Sequence, residues 1–272
     1  MPELPDVERF RRVLEQAAGA RIERVEVLDP GVLRDVTAGR LRSAMVGSVL
    51  GAPWRHGKWL IAPVRAPKVR HRRGDPSVIF HFGMTGELHW LGEAPGGSGE
   101  PRHRHDRLIV ATAGGELRYR DMRKLQGIRL AERDPEVEAV LGDSGPDATE
   151  VTAEELGERL RRTRRQLKSA LIDQDMLAGL GNLLVDEILW RSRMRPERAT
   201  SELSDAEVRR LHRRMQTVLR HSVAEGRVPD KSNWLTGHRQ DEDARCPRCG
   251  GQLSHTRVAG RHTVWCPRCQ PR

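Results

Sequence analysis

The chain has 272 residues, 48 of them Lys or Arg and 38 Asp or Glu, a formal excess of ten positive charges. That length can bury a substantial core and divide into two or three units, and the basic balance points to a polyanion, because neutralising phosphates releases condensed counterions. No run approaches eighteen apolar residues, the start is acidic rather than basic-then-apolar, and all four cysteines fall between positions 246 and 269; a membrane span, a secretory leader and a chain-wide disulfide framework are not expected, and a cytosolic protein is.

The chain opens Met1-Pro2-Glu3-Leu4-Pro5-Asp6-Val7-Glu8. Methionine is commonly removed before a small residue, which would leave Pro2 as a terminal secondary amine. Terminal α-amino groups titrate at roughly 7.7 to 8.0, so this one would be partly unprotonated and nucleophilic at neutral pH. Glu3 beside it could move protons. The same residues also suit a plain helix start, since proline favours the first turn and carboxylates the positive end of the dipole. Val7, Phe10, Val13, Leu14 and Ala17 then recur at helical spacing and predict a helix from Pro5 to about Ala18.

From Arg21 to about Leu130 short apolar or alternating runs are punctuated by glycine: Val25 to Leu28, Trp59 to Val64, Val78 to Phe82, Leu108 to Ala111, Leu117 to Tyr119 and Ile128 to Leu130. This predicts a β-sandwich. Trp54-Arg55-His56-Gly57-Lys58-Trp59 reads as a basic turn between two strands. Phe82-Gly83-Met84-Thr85-Gly86 ends a strand in a glycine-flanked methionine, and Asp121-Met122-Arg123-Lys124-Leu125 is a second loop. Only five of the basic residues are lysines, Lys58 and Lys168 among them. Each therefore offers a compact ammonium in an arginine-rich chain.

The acidic stretch from Glu132 to Thr152, with Gly142, Gly145 and Pro146, reads as a linker between domains. Helices are predicted at Ala153 to Arg162, Arg165 to Asp173, Gly181 to Arg191 and Ser204 to Glu225. Between two of them lies Ala178-Gly179-Leu180-Gly181-Asn182. Its glycines either form a tight turn or allow close approach of a phosphate to the free amides of the following helix. Cys246-x-x-Cys249 and Cys266-x-x-Cys269 have the spacing of a tetrahedral four-thiolate zinc site, which with no open position is structural. Arg261 lies on the hairpin between the two pairs.

In this order the pieces resemble the formamidopyrimidine-DNA glycosylase and endonuclease VIII family of base-excision repair enzymes, and the Leu4 spelling of the start favours the formamidopyrimidine branch. The resemblance spans the chain: Met-Pro-Glu-Leu-Pro, Arg-His-Gly-Lys, Phe-Gly-Met-Thr-Gly, Asp-Met-Arg-Lys-Leu, Gly-Leu-Gly-Asn-Leu followed by Asp186-Glu187, and the closing finger. It implies an α+β multidomain protein: an N-terminal β-sandwich with an N-terminal helix over 1–133, a helix-two-turns-helix domain over 134–225, and a loop and zinc finger over 226–272. DNA would lie in the cleft between them.

The implied activity is that of a glycosylase and abasic-site lyase. Pro2 would be the nucleophile that forms a Schiff base, Glu3 the proton shuttle to the deoxyribose, and Lys58 a DNA-contacting assistant. Met84, Arg123 and Leu125 would fill the space left by an everted nucleotide. Lys168, Asn182 with its helix end, and Arg261 would grip phosphates. Glu187 would support the terminal amine. One structural zinc is implied, and the partner is double-stranded DNA with damaged bases or abasic sites, bound by a monomer in the nucleoid.

Three departures bear on substrate. Asp6 stands where the purine-specific branch has glutamate, Leu125 replaces an aromatic wedge, and the loop from 226 to 245 is short and lacks a recognisable lesion-capping segment. Formamidopyrimidines, hydantoins and oxidised pyrimidines all stay open as substrates, with 8-oxoguanine ranked behind them. A non-catalytic protein that grips damaged DNA is the competing class. It predicts salt-sensitive binding that is indifferent to Pro2 and Glu3.

Overall fold

The structure is a computed structural model, described here for residues 1–66, 75–92, 100–240 and 243–271. It contains two compact units, one of Met1–Pro2 and Val7–Gly142 and one of Glu3–Asp6 and Asp143–Arg272.

The first unit holds two antiparallel sheets. One has the order β1 (Ile22–Val27), β7 (Asp106–Thr112), β8 (Gly115–Arg120), β6 (Glu87–Gly92). The other runs β2 (Val49–Leu50), β4 (Trp59–Arg65), β5 (Ser77–His81), β9 (Gly127–Ala131), with β3 (Trp54–His56) also pairing with β4. Val25, Leu88, Val110, Leu117 and Tyr119 of the first sheet share one buried cluster with Leu60, Val78, Phe80 and Ile128 of the second. The expected sandwich is therefore present.

Helix α1 (Leu4–Glu15) sends Val7, Phe10 and Leu14 into the same cluster, with the Phe10 and Phe82 rings 4.4 Å apart. Helix α2 (Ala38–Met45), capped by Thr37, adds Leu41 and Met45. Neither α2 nor β6 is among the elements expected from the sequence. The alternation of Glu87-Leu88-His89-Trp90 is too short to stand out without its partner strand β8.

The stretch from 132 to 152 is not all linker. Asp134–Leu141 forms helix α3, opened by a proline in its first turn, and Val137 packs on Ile61, Ile79 and Ala131 on the far face of the second sheet. This burial on both faces explains why β4 and β5 read as unbroken apolar runs rather than alternating ones.

The second unit is helical: α4 (Ala153–Arg161), α5 (Leu167–Leu171), α6 (Asn182–Ser192) and α7 (Asp205–Glu225) surround Leu156, Leu171, Leu184, Ile188, Leu211 and Met215. Helix α7 begins with a complete capping box between Ser204 and Glu207 and ends at Gly226 with φ 69°, where the left-handed cap favours glycine. Strands β10 (Ser254–Val258) and β11 (Arg261–Trp265) form the expected hairpin of the finger. Leu253 and Val264 share a small core with Trp190 of α6, which fixes the finger to the helices.

Candidate active site and metal centre

Glu3 stands just before α1, and the Asp6 carboxylate, three residues on, accepts the Glu3 backbone N–H at 2.8 Å. This is half of a capping box, and aspartate is long enough to close it. The Glu3 side chain points elsewhere and is 1% exposed. Its two oxygens accept the backbone N–H groups of Leu183 (2.8 Å) and Leu184 (3.1 Å) in the first turn of α6. A carboxylate thus sits on unpaired amides at the positive end of a helix, where both the dipole and the hydrogen bonds favour it.

The glycines before α6 make that possible. A Cβ at Gly181 would lie 2.2 Å from Glu3 Cδ, and one at Gly179, where φ is +107°, would lie 2.5 Å from Leu4 Cδ1. The Leu4 N–H donates to Gly179 O at 3.1 Å. From the sequence, these glycines make either a tight turn or room for a phosphate on the amides, and the family resemblance implies the phosphate. The structure corrects this, because the two amides are taken by Glu3, a partner 180 residues away in the chain.

Lys168 is a second correction. The resemblance implied that Lys168 contacts a phosphate, yet Lys168 is fully buried, and its ammonium donates to Asp186 Oδ1 (2.6 Å), Thr263 Oγ1 (2.8 Å) and His262 O (3.2 Å). All three donors are committed. Burial lowers its pKa, and the Asp186 carboxylate works against that shift.

Asp186 also pairs with Arg239 and accepts the Val264 N–H at 3.1 Å. Arg239 and Asn182 donate in turn to His262 O, at 2.5 and 2.9 Å. One carbonyl of the finger hairpin therefore takes donors from α5, from the start of α6 and from the turn after Leu235–His238. Arg261, the adjacent residue, is exposed at the hairpin end. Asp186 and Arg239 carry this arrangement, and only the adjacency of Asp186 to Glu187 hinted at it in the sequence.

Glu187 is fully buried and accepts from Arg191 Nε (2.6 Å) and from the Thr236 N–H (3.3 Å). Burial pushes its pKa up to about 7 despite the Arg191 guanidinium. Its partners tie α6 to the 3-10 turn at Leu235–His238.

In the first unit Lys58 occupies the turn between β3 and β4, after Gly57 with φ 55°. Arg55 steadies the turn by donating to Gly57 O (2.9 Å) and pairing with Glu8 of α1 (3.3 Å). The neighbouring His81 is held near pKa 4, first by burial and then by the charges of Lys58 and Arg129. At neutral pH it is an uncharged ring, and its Nδ1 accepts the Gly83 N–H at 3.1 Å. The sequence reading passed over His81, although its place at a strand end before Phe-Gly-Met was a signal.

Met84 and Arg123 are brought together, Arg123 Nη1 lying 3.1 Å from the Met84 sulfur. Asp121 accepts from the Arg123 N–H (3.0 Å) and the Thr85 hydroxyl (2.6 Å), locking the two loops. Met84 is 39% and Leu125 49% exposed. Apolar side chains held out on a braced loop are available to an apolar or stacking partner.

The four cysteine sulfurs lie within 4.8 Å of one another, with Cys246 to Cys269 at 3.8 Å and Cys249 to Cys266 at 3.5 Å. A tetrahedron with bonds of about 2.3 Å has sulfur–sulfur edges of about 3.8 Å, so the donor set fits zinc. Despite burial, the Cys246 thiol is lowered to about 7 by the Arg248 and Cys249 backbone and the Trp190 indole, which donates at 3.3 Å. Arg248 stacks 4.2 Å from the Trp190 ring and donates to its carbonyl at 3.0 Å. The zinc is structural and anchors the hairpin that carries Arg261.

A β-sandwich unit, and a helical unit carrying a four-cysteine finger, in one chain that opens Met1-Pro2-Glu3, define a class of nucleic-acid repair proteins. Family models match the chain as formamidopyrimidine-DNA glycosylase N-terminal domain over 1–128, its H2TH domain over 142–232 and the zinc finger found in FPG and IleRS over 245–272. The chain belongs to the formamidopyrimidine-DNA glycosylase family.

Among its relatives, the formamidopyrimidine-DNA glycosylase of Symbiobacterium thermophilum is 36% identical over 100% of this chain and 90% of that protein. That of Bacillus cereus is 34% identical over the whole of both. The Lactococcus lactis enzyme bound to DNA containing an AP site superposes with a TM-score of 0.83 at 29% identity over the whole of both chains. Its complex with DNA containing an oxidised pyrimidine gives 0.86 at 29% identity, again over the whole of both. Among the described residues no helix is long and apolar enough to cross a membrane.

Proposed function

We propose that this protein is a bifunctional DNA glycosylase and abasic-site lyase of base-excision repair, acting on double-stranded DNA that carries formamidopyrimidines and related oxidised bases. The observation that carries the reading is the Glu3 carboxylate, buried on two amides of α6 and one peptide bond from Pro2. A group held this firmly can give and take a proton at a fixed place.

In the proposed sequence the Pro2 nitrogen, freed by loss of Met1, attacks the sugar carbon bearing the damaged base. The glycosidic bond breaks and the base leaves with a proton. Glu3 protonates the ring oxygen as the sugar opens, leaving a Schiff base on Pro2. Loss of one proton from the sugar then expels one phosphate, loss of a second proton expels the other, and water releases the amine. Lys58 meets a phosphate and assists.

Met84, Arg123 and Leu125 fill the gap left in the stack, and Arg261 meets the backbone. Lys168 and Asn182 serve that contact through His262 O. The working division is a catalytic domain over 1–133, a DNA-binding helical domain over 134–225, and the loop and finger over 226–272. The protein works as a monomer in the cytoplasm, associated with the nucleoid.

Two features support the formamidopyrimidine branch: the relatives bear that name, and the start is spelled Pro-Glu-Leu-Pro. Borohydride reduction on abasic DNA is the test. Protein whose N-terminus is Pro2 by mass spectrometry should give a covalent adduct that maps to that residue and vanishes in Pro2→Gly. Correctly processed protein that gives no adduct would overturn the proposal.

A further inference from the structure

Helix α7 carries a line of positive charge that the repair reaction, as described, does not use. Between Val208 and Ala224 it has no acidic residue but five arginines. Arg210 is turned toward Glu207 and Ser192 O. Arg209, Arg213, Arg214 and Arg220 are exposed and have no ion pair among the described residues. The acidic residues of the helix lie only at its ends and are already engaged: Asp205 by Arg161, Glu207 by Arg198, Glu225 by Lys231.

An ordinary solvated helix face alternates its charges, because like charges four residues apart cost stability. This one keeps Arg209 and Arg213 at that spacing. At 3.6 residues per turn, Arg209, Arg213 and Arg220 fall within an arc of about 40° and extend along about 16 Å of the axis. Phosphates advance about 3.4 Å per nucleotide along a DNA strand, so this line matches about five of them. The apolar side of α7, including Val208, Leu211, Met215 and Leu219, is buried in the core of its unit, so the helix has no face to insert into a lipid surface.

We infer that the outer face of α7 is a second docking surface for duplex DNA, contacting its backbone through Arg209, Arg213 and Arg220. It would let the protein hold an undamaged duplex segment while another is joined to Pro2. The contact is electrostatic and blind to sequence.

The experiment compares wild-type protein with R209Q/R213Q/R220Q in binding to undamaged duplex across salt concentrations. Each lost phosphate contact lowers the slope of log K against log salt by about 0.9, so the triple variant should lose about 2 to 3 from the slope. The triple lysine variant should keep it. A single-turnover excision rate on a short lesion duplex should be the same in all three proteins.

In a second arm, protein trapped by borohydride on one duplex should retain a second, labelled duplex, and the glutamine variant should release it. An unchanged salt slope, or equal retention of the second duplex, would overturn the inference. The inference shares its partner with the proposed function, but the two can fail separately. Absence of a borohydride adduct with a reduced slope defeats the enzymatic reading alone, and an adduct with an unchanged slope defeats this one alone.

Discussion

Gly181→Ala tests the placement of Glu3 directly. The backbone at Gly181 has φ −126° and ψ −169°, extended values that alanine adopts freely, so the cost lies in the new methyl group. It would lie 2.2 Å from Glu3 Cδ and 2.4 Å from Oε1, where non-bonded atoms settle at about 3.5 to 4.0 Å. The carboxylate must retreat by about 1 Å or more, which breaks its bonds to Leu183 and Leu184 at 2.8 and 3.1 Å. Two charge-assisted hydrogen bonds at about 1.5 kcal/mol each come to about 3 kcal/mol.

The assay is a double-mutant cycle with Glu3→Ala, followed by urea unfolding. Gly181→Ala should be costly in the wild-type background and nearly neutral once Glu3 is removed, with a coupling of about 2 to 3 kcal/mol. In the same single variant the rate of Schiff-base trapping should fall about 100-fold, the scale expected for a catalytic group displaced by about 1 Å. A coupling below about 0.5 kcal/mol would refute the reasoning, since contacting groups that truly share an interaction exceed that value.

Three further outcomes are expected. Cys249→Ser should reduce bound zinc, measured by atomic absorption, from one per chain toward none, melt the finger and abolish DNA binding while the β-sandwich stays folded; retention of metal and binding would remove the structural-zinc assignment. Glu187 has its pKa raised to about 7 by burial, so as pH rises from about 4.5 to 7 the unfolded chain releases a proton that the folded one keeps, and stability falls across that window. Glu187→Gln should flatten that decline in urea midpoints measured from pH 4 to 8, and an unchanged decline would show that the loss arises elsewhere. Asp186→Ala leaves the buried Lys168 ammonium without its carboxylate and should cost about 3 to 5 kcal/mol, read as a lowered unfolding midpoint; a loss under about 1 kcal/mol would mean that Lys168 simply sheds its proton or reaches water.

Much of this protein is legible in the sequence because the signals are local. The two Cys-x-x-Cys pairs state their own metal, Ser204 and Glu207 mark a helix start three residues apart, and the apolar period of α1 shows its buried face. The Pro2-Glu3 pair proposes its chemistry through adjacency alone. What the sequence cannot show is the choice of partner for a polar group, because that choice is made across the fold.

The amides of Leu183 and Leu184 suit any anion, and only the folded chain brings Glu3 to them across 180 positions. Lys168 reads as a cation for a phosphate until burial and three acceptors claim it. The glycines at 179 and 181 announced a close approach without saying to what. The sequence by itself showed α1, most of the longer strands, the helices from α4 to α7 and the zinc ligands, and it proposed the residues able to react. Tertiary structure decided which carboxylate meets which amide and which cation is spent inside, because a buried charge has no water to fall back on and must find its partner wherever the packing puts one.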